Sequence, residues 1–207
     1  MKNSVLVIWH DKWHPDTTYE AAIDELFSDW DLKTDKSMLT LSRAEKAPDL
    51  AIILSAGLAF EEALLEEDQK AICTMAENGM GMLYIHAGLT RISLDTPIFD
   101  LTHARFIMHP QGQPPVYNCA IPGIAHPVMD GVAPFEAPDE HYFCYVDVEK
   151  TQPFLVARSE HGTEIGGWAH EYGKGRVCCL GSGHTVESVN QMKPVIASAA
   201  AWCLKLK

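Results

Sequence analysis

Gly79-Met80-Gly81-Met82-Leu83-Tyr84-Ile85-His86-Ala87-Gly88 joins a predicted helix to a predicted buried strand. Upstream, residues 61–78 are typical of a helix, because acidic side chains crowd its first turns, where they suit the helix dipole, and Asn78-Gly79 supplies the stop. Residues 80–85 follow as a near-continuous apolar run, which is typical of a strand buried on both faces. The glycines precede this strand, so they are interpreted as helix stop and strand entry.

The same alternation continues toward the amino terminus. Residues 4–9 and 49–54 are apolar runs that predict central strands, and a helix capped by Thr17 or Thr18 and running to about Asp29 is predicted between them. Strands that alternate with helices in this way indicate a parallel sheet covered on both faces. The predicted fold is α/β and doubly wound, with a mostly parallel sheet flanked by helices.

The second half of the chain has a different pattern. Prolines and glycines divide it into short segments, such as residues 142–148 and 154–159, which predict an antiparallel extension or edge of the sheet. A turn at Lys174-Gly175 leads into a strand at 176–180, and the chain closes with a helix over about 191–204. At 207 residues, we expect a single domain over residues 1–207 that buries roughly 70% of its unfolded surface.

Charge and composition exclude several classes of partner. The formal net charge is −12, from 28 acidic and 16 basic residues, and no Lys/Arg stripe is present that would neutralise phosphates, so nucleic acid is not expected as a partner. No stretch approaches the ~20 apolar residues of a membrane span, and the apolar run at residues 4–9 is too short for a signal-peptide core. These features predict a cytoplasmic protein without a membrane partner, and a homo-oligomer is possible on base rates.

The six cysteines lie mostly inside apolar runs, and none is spaced as Cys-x-x-Cys. Without a secretory signal, this pattern indicates buried thiols rather than disulfides or a zinc site.

Histidines are the strongest functional signal. His86 and His184 each follow a predicted strand, and because ligands bind outside the carboxyl ends of parallel strands, the two side chains could meet in one crevice. His14, His109 and His126 each precede a proline, which favours an extended backbone. His126 is most typical of a turn, whereas His14 and His109 are better site candidates. For any one of the three, an ordinary loop histidine is the alternative.

Asp139-Glu140-His141-Tyr142 places two carboxylates, an imidazole and a phenol at the start of a predicted strand. Because side chains alternate across a strand, Glu140 and Tyr142 are expected on one face. Glu140 could act as a general base and Tyr142 as a proton donor or a partner for a sugar hydroxyl. A solvated acidic turn is the alternative.

Signals for a cofactor are weak. No Gly-x-Gly-x-x-Gly follows the first strand and no His-Glu-x-x-His is present, so neither a nucleotide nor any other cofactor is expected. His10 and His14 are four residues apart, as two zinc ligands on a helix would be, but Pro15 and the preceding strand argue against a helix there. A divalent metal remains possible, with His10 and His14 as weak candidate ligands.

Together these segments resemble the ThuA-like (trehalose utilization) family, whose fold is similar to that of class I glutamine amidotransferases and is flavodoxin-like. The segments that carry the resemblance occur in the family's order and span most of the chain: residues 79–88, 105–110, 125–131 and 139–142, Trp168, residues 173–177 and Gly183-His184. Residues 9–14 are similar to an aromatic and histidine-rich loop of the relatives.

The resemblance has consequences for the site. A glutaminase needs a cysteine nucleophile on the sharp turn after the strand, where this chain has His86, so amide hydrolysis through a thioester is not expected. His184 is similar to the amidotransferase histidine at the end of its strand. Glu187 follows it at a spacing one residue longer than the usual His-x-Glu, which is a departure from the amidotransferase pattern.

Family resemblance also implies carbohydrate catabolism, with a small-molecule carbohydrate substrate such as a 3-keto derivative of a disaccharide or glycoside. A ketone at C3 acidifies the C2 proton, so a base such as His86 or Glu140 could remove it while His184 or His109 stabilises the enediolate. Reprotonation at the neighbouring carbon would isomerise the sugar, and expulsion of the C1 substituent would cleave the glycosidic bond. The sequence leaves both outcomes open.

Other residues could bind the substrate, and other functions fit the same pattern. His14 is a candidate contact, and Trp168 and Tyr142 could supply an aromatic surface for a sugar ring. Packing within a strand is the alternative for Trp168. One alternative is a non-catalytic carbohydrate- or partner-binding protein on an amidotransferase-like scaffold. Another is metal-dependent hydrolysis by His10, His14 and a strand-end histidine.

Overall fold

A central mixed sheet organises the computed structural model, which describes residues 2–55 and 64–207. The strands are β1 (Ser4–Ile8), β2 (Asp31–Asp35), β3 (Leu50–Ile53), β4 (Gly81–Ile85), β5 (Ala104–Met108), β6 (Pro115–Ala120), β7 (Phe135–Pro138), β8 (Phe143–Val146), β9 (Gln152–Ser159), β10 (Gly162–Tyr172) and β11 (Gly175–Leu180). The α-helices are α1 (Glu20–Phe27), α2 (Met38–Ser42), α3 (Glu66–Glu77), α4 (Pro97–Thr102) and α5 (Val186–Cys203).

Nine of these strands form one sheet in the order β2-β1-β3-β4-β11-β10-β9-β6-β7. The strands from β2 to β11 in this order are parallel, and β10, β9, β6 and β7 continue the sheet in antiparallel pairs. Strands β5 and β8 pair separately as an antiparallel ribbon. The predicted parallel sheet with an antiparallel extension in the second half is confirmed.

Each face of the sheet has its own apolar core. In β1, Val5 and Val7 pack into one core and Leu6 and Ile8 into the other, which is why the whole strand is apolar. Helices α1 and α5 contribute buried side chains to the first core, and α2, α3 and α4 contribute to the second. Helices therefore cover both faces, as the doubly wound prediction requires.

Most predicted elements are present with adjusted ends. The first helix is divided into a 3-10 turn at Asp16–Thr18 and α1, and of the helix predicted over residues 61–78, residues 61–63 lie outside the described residues while α3 starts at Glu66. Helix α5 begins earlier than predicted, because the Thr185 hydroxyl caps it by accepting from the Ser188 N–H at 3.0 Å.

Several elements were not predicted from the sequence, among them β2 and α2. Strand β2 is polar and mostly exposed at the edge of the sheet, so it lacks the apolar run that identifies the central strands. Helix α2 has only five residues, too few to display a helical period.

Within residues 2–55 and 64–207, no helix combines the length and the apolar character that a membrane span requires.

Candidate functional site

A cluster of titratable side chains lies at the carboxyl ends of the parallel strands. His14 lies in the loop after β1, His86 directly follows β4, and His184 lies in the loop between β11 and α5. Glu140 comes from the connection between β7 and β8. One nitrogen or oxygen atom from each of these four side chains lies within 4.8 Å of the other three. We call these four residues the His₃Glu cluster.

Glu140 is the centre of the arrangement. Its Oε2 atom lies 3.5 Å from His86 Nε2, 3.3 Å from His184 Nδ1 and 3.7 Å from His109 Nε2. The His14 ring lies 5.2 Å from the His86 ring and 4.9 Å from the His184 ring, measured between centroids. All four predicted catalytic residues and the predicted substrate-binding residue His14 are therefore brought together.

His86 occupies a tight turn after β4. Its φ is +47°, a left-handed conformation that is uncommon for a residue other than glycine. Two residues later, Gly88 approaches β3 so closely that a Cβ atom would lie 2.2 Å from the Ile53 carbonyl oxygen. The His86 Nδ1–H donates to the Gly181 carbonyl at 2.8 Å, so Nε2 carries the free lone pair and faces Glu140. Tyr142 stacks on the His86 ring at 3.8 Å between centroids.

His14 is fixed by Asp11, a residue that sequence reasoning missed. The Asp11 Oδ1 atom accepts from the Trp13 N–H at 2.9 Å, the His14 N–H at 2.8 Å and the His14 Nδ1–H at 2.8 Å. A carboxylate on Nδ1 leaves Nε2 as the free nitrogen of His14. The i, i+3 spacing of Asp11 and His14 was the available signal, since short polar side chains often bond to the backbone two or three residues ahead.

His184 is positioned through its backbone by Asp139. The buried Asp139 carboxylate accepts from the Gly183 N–H and the His184 N–H, both at 2.8 Å, and from the Ser188 hydroxyl. Sequence reasoning placed Asp139 on the face opposite Glu140 and gave it no role. Its position beside Glu140 means that one short segment supplies both a site side chain and the anchor of another.

Residues 139–142 link β7 to β8, so the prediction that they start a strand is wrong. Their side chains still alternate, since Glu140 and Tyr142 both contact His86, whereas His141 Nδ1 pairs with the Ser159 hydroxyl at 2.7 Å. The side chains alternate because an extended chain projects successive side chains in opposite directions even where it is not paired with another strand.

Electrostatics favour an ionised Glu140. Burial alone would raise the pKa of Glu140, but the contact with His86 and the charges of His184, His86 and His109 lower it below its ordinary value. Burial lowers the pKa of His184, and the Glu140 charge only partly offsets that effect. A carboxylate with acceptor nitrogens around it can hold a cation or take up a proton.

Tyr19 is a further polar group that the sequence did not single out. It is 1% exposed, and burial raises the pKa of its phenol well above the ordinary value. The charges of Asp139, Asp11 and Glu140 act in the same direction. Tyr19 therefore stays protonated, and its buried hydroxyl has no hydrogen-bond partner in the described part of the chain.

Two aromatic candidates from the sequence take other positions. The Trp168 side chain is fully buried in the core on β10, and its indole N–H donates to the Thr102 carbonyl at 3.3 Å, so the predicted sugar-stacking role is wrong. Tyr142 is 5% exposed, with its ring packed on His86 and on Phe106 at 4.4 Å, so it supports the site and offers no aromatic platform.

His10 and Glu187 also differ from expectation. His10 lies outside the His₃Glu cluster, with Nδ1 3.6 Å from an Asp16 carboxylate oxygen. Residues 10–14 are not helical, so the four-residue spacing of His10 and His14 does not align them. Glu187 is exposed on the first turn of α5, and the carboxylate that faces His184 is Glu140 instead.

All six cysteines lie in the described residues and are free thiols. Cys119 and Cys144 are partly exposed, whereas the other four are buried as predicted. Cys178 and Cys179 lie within β11, and burial raises the pKa of both thiols well above the ordinary value. The turn after β4, where an amidotransferase-type nucleophile is expected, holds His86, so a thioester mechanism has no nucleophile there.

Comparisons with known proteins agree with this fold. The family model described as "ThuA: Trehalose utilisation" matches residues 4–203. A ThuA-like protein from Parabacteroides merdae superposes with a TM-score of 0.79 at 15% identity, covering 100% of this chain and 91% of that one. A ThuA-like protein from Bacteroides uniformis gives 0.71 at 15% identity, covering 97% and 91%.

A glutamine amidotransferase from Thermotoga maritima superposes with a TM-score of 0.61 at 12% identity, covering 99% of each chain. These identities establish the shared fold alone. Among curated protein sequences, the comparison finds no relative.

Proposed function

The chain belongs to the ThuA family of trehalose-utilisation proteins, and on that premise we propose that it is an enzyme acting on an oxidised (3-keto) disaccharide or glycoside. Membership of this family indicates a carbohydrate-related function. The proposed reaction begins with removal of the proton on C2, next to the C3 ketone. The observation that carries the proposal is the convergence of His86, His109 and His184 on one oxygen atom of Glu140.

The chemistry needs a base and a place for negative charge. When the base takes the C2 proton, the C–H electron pair forms the C2=C3 double bond and the ketone oxygen becomes an oxyanion. If the protonated base then protonates C3 and the C2 hydroxyl proton passes to the C3 oxygen, the product is the 2-keto isomer. If the electrons instead expel the C1 substituent, a C1=C2 bond forms and the acquired proton passes to the leaving oxygen. Both outcomes share the first step.

His109 is the best-placed base. Its side chain is 35% exposed, whereas that of His86 is fully buried and that of His184 is 15% exposed. The His109 Nδ1–H donates to the Pro110 carbonyl at 2.9 Å, which leaves Nε2 as the free nitrogen on the side facing Glu140. A base at the rim can reach a substrate carbon while the deeper histidines lie beside the oxyanion.

Strand pairing supports this division of roles. The β5–β8 ribbon pairs Met108 with Phe143, so His109 at the end of β5 and Glu140 just before β8 are held at the same end of the ribbon. Ile107 and Met108 are half exposed beside His109, and Trp13 is 53% exposed beside His14. Apolar and aromatic surface next to a polar cluster suits a sugar, whose ring presents both C–H faces and hydroxyls. We therefore propose Trp13, rather than Trp168, as the aromatic contact.

The test is turnover of 3-ketotrehalose, followed by proton NMR with the purified full-length protein. We expect loss of substrate signals with the wild type, and loss of that activity in His184→Ala and His109→Ala with folding retained by circular dichroism. His161→Ala removes a loop histidine that pairs with Glu160 and is not a member of the His₃Glu cluster, so it is the matched control and should keep full activity. An unchanged rate in His184→Ala would refute the assignment, and saturable sugar binding without any product would favour a binding protein.

A further inference from the structure

The spacing of the donor atoms in the His₃Glu cluster is close to that of a metal site. A tetrahedral metal with bonds of about 2.0–2.1 Å to nitrogen and oxygen places its ligand atoms roughly 3.4 Å apart. Glu140 Oε2 lies 3.3 Å from His184 Nδ1 and 3.5 Å from His86 Nε2. His14 completes a set whose atoms all lie within 4.8 Å of one another. Small side-chain movements would bring the four atoms to bonding distance of one ion.

Three of these atoms are buried without a hydrogen-bond partner in the described part of the chain: His14 Nε2, His86 Nε2 and His184 Nδ1. His14 is 5% exposed and His86 is fully buried. A buried polar atom that lacks a partner costs free energy, and buried polar groups are normally satisfied. Three such nitrogens within 4.8 Å of one another and of a Glu140 oxygen indicate a ligand that accepts several lone pairs at once.

The remaining nitrogens of His14 and His86 are arranged as in metal sites. Ligating histidines almost always donate the other ring N–H to a carboxylate or a backbone carbonyl, which fixes the tautomer and raises the basicity of the ligating nitrogen. Asp11 is that partner for His14, and the Gly181 carbonyl is that partner for His86, both at 2.8 Å. The backbone of His184 is held by Asp139. The sequence places these supports in three separate segments.

From these observations we propose that His14, His86, Glu140 and His184 bind one divalent transition-metal ion. Imidazole nitrogens suit zinc and other late first-row metals, whereas calcium and magnesium prefer oxygen ligands. The donor set of three nitrogens and one carboxylate therefore selects a zinc-like ion. His10, which the sequence spacing offered as a ligand, is not part of the set.

The metal site rests on ligand geometry and does not require the sugar chemistry proposed above. If both hold, an ion held by these four residues would supply Lewis-acid polarisation of the ketone. His109 lies outside the ligand set and remains available as the base. In that case Glu140 and His184 act as ligands rather than as proton-transfer groups.

Zinc binding is tested on the full-length protein after chelator treatment, by calorimetric titration with Zn²⁺ and by the visible absorption of added Co²⁺. We expect one saturable equivalent, with the strong Co²⁺ absorption of a four-coordinate site. Asp11→Asn should weaken Zn²⁺ binding by about 10–100-fold, and His86→Ala and His184→Ala should weaken it further. His10→Ala is the matched control from the same loop and should bind Zn²⁺ as the wild type does.

Either of two results would overturn the proposal: no saturable binding by a folded wild-type protein, or binding that both His86→Ala and His184→Ala leave unchanged. Circular dichroism identifies a variant that fails to fold, and Asp11→Asn, which keeps the shape of the side chain and one oxygen acceptor, then serves in its place. Turnover of the keto sugar by metal-free protein would leave the proposed function standing without the metal. One bound Zn²⁺ without turnover would leave the metal site standing without the proposed reaction.

Discussion

Asp139→Asn tests how the His184 loop is held. The Asp139 carboxylate receives three donors, the Gly183 N–H, the His184 N–H and the Ser188 hydroxyl, and it is 1% exposed. An amide of the same shape keeps one oxygen acceptor but turns the other position into a donor. The serine hydroxyl can rotate to accept from the new amide, but a backbone N–H cannot. At least one buried N–H therefore faces another donor.

Losing one hydrogen bond to a buried charged acceptor costs about 1.5–3 kcal/mol. For a chain of 207 residues, this corresponds to a fall in Tm of about 5–10 °C. The assay is thermal and urea unfolding followed by circular dichroism. Asp24→Asn, at an exposed position on α1, is the matched control and should change stability by less than about 0.5 kcal/mol. If Asp139→Asn is as stable as that control, Asp139 does not hold the loop.

The remaining predictions concern packing, pH and substrate contact. Gly88→Ala should destabilise the fold by about 1–3 kcal/mol in urea unfolding, since its Cβ would lie 2.2 Å from the Ile53 carbonyl oxygen. Gly181→Ala is the control, because its Cβ would lie 3.7 Å from the nearest atom, and it should destabilise the fold far less. Burial lowers the pKa of His170 to about 4. As the pH falls below 6.5, the unfolded chain therefore takes up a proton on His170 before the folded protein does. The free energy of unfolding should fall by about 2 kcal/mol between pH 7.5 and 5. His170→Gln should lose that part of the pH dependence, and an unchanged slope would contradict it. Trp13→Ala should raise KM with little change in Tm, and an unchanged KM would remove Trp13 from the substrate site.

The central strands were predictable because a strand that is buried on both faces has a continuous apolar sequence. Strands β1, β3, β4 and β11 are apolar runs whose alternate residues enter different cores. Strand β2 was missed because an exposed edge strand needs no such run. The position of β10 between β11 and β9 was equally hidden, since it depends on pairing between distant segments. The burial of Trp168 follows from that position, which is why its predicted sugar contact failed.

The site residues that could be predicted are those whose position follows from the topology of the sheet. His86 and His184 follow parallel strands, and parallel strands end at one edge of the sheet, so their proximity followed from the fold class. The side chains that contact His86 and His184 could not be predicted from the fold class. Which carboxylate faces His184 depends on how the connection at Glu140 crosses the edge, and that crossing has no local signature. Asp11 was not predicted, although its spacing of three residues from His14 fits a side chain that bonds to the backbone ahead of it.

Exchange of the C2 proton of 3-ketotrehalose with solvent deuterium, followed by proton NMR, tests the central claim most directly. This exchange reports proton abstraction itself, whether the sugar is afterwards isomerised or cleaved. We predict loss of the C2 proton signal with the wild type and His161→Ala, and its retention with His109→Ala and with Glu140→Gln. Retention of the C2 proton by the wild-type protein while product forms would contradict proton abstraction, and exchange by Glu140→Gln at the wild-type rate would remove Glu140 from the site.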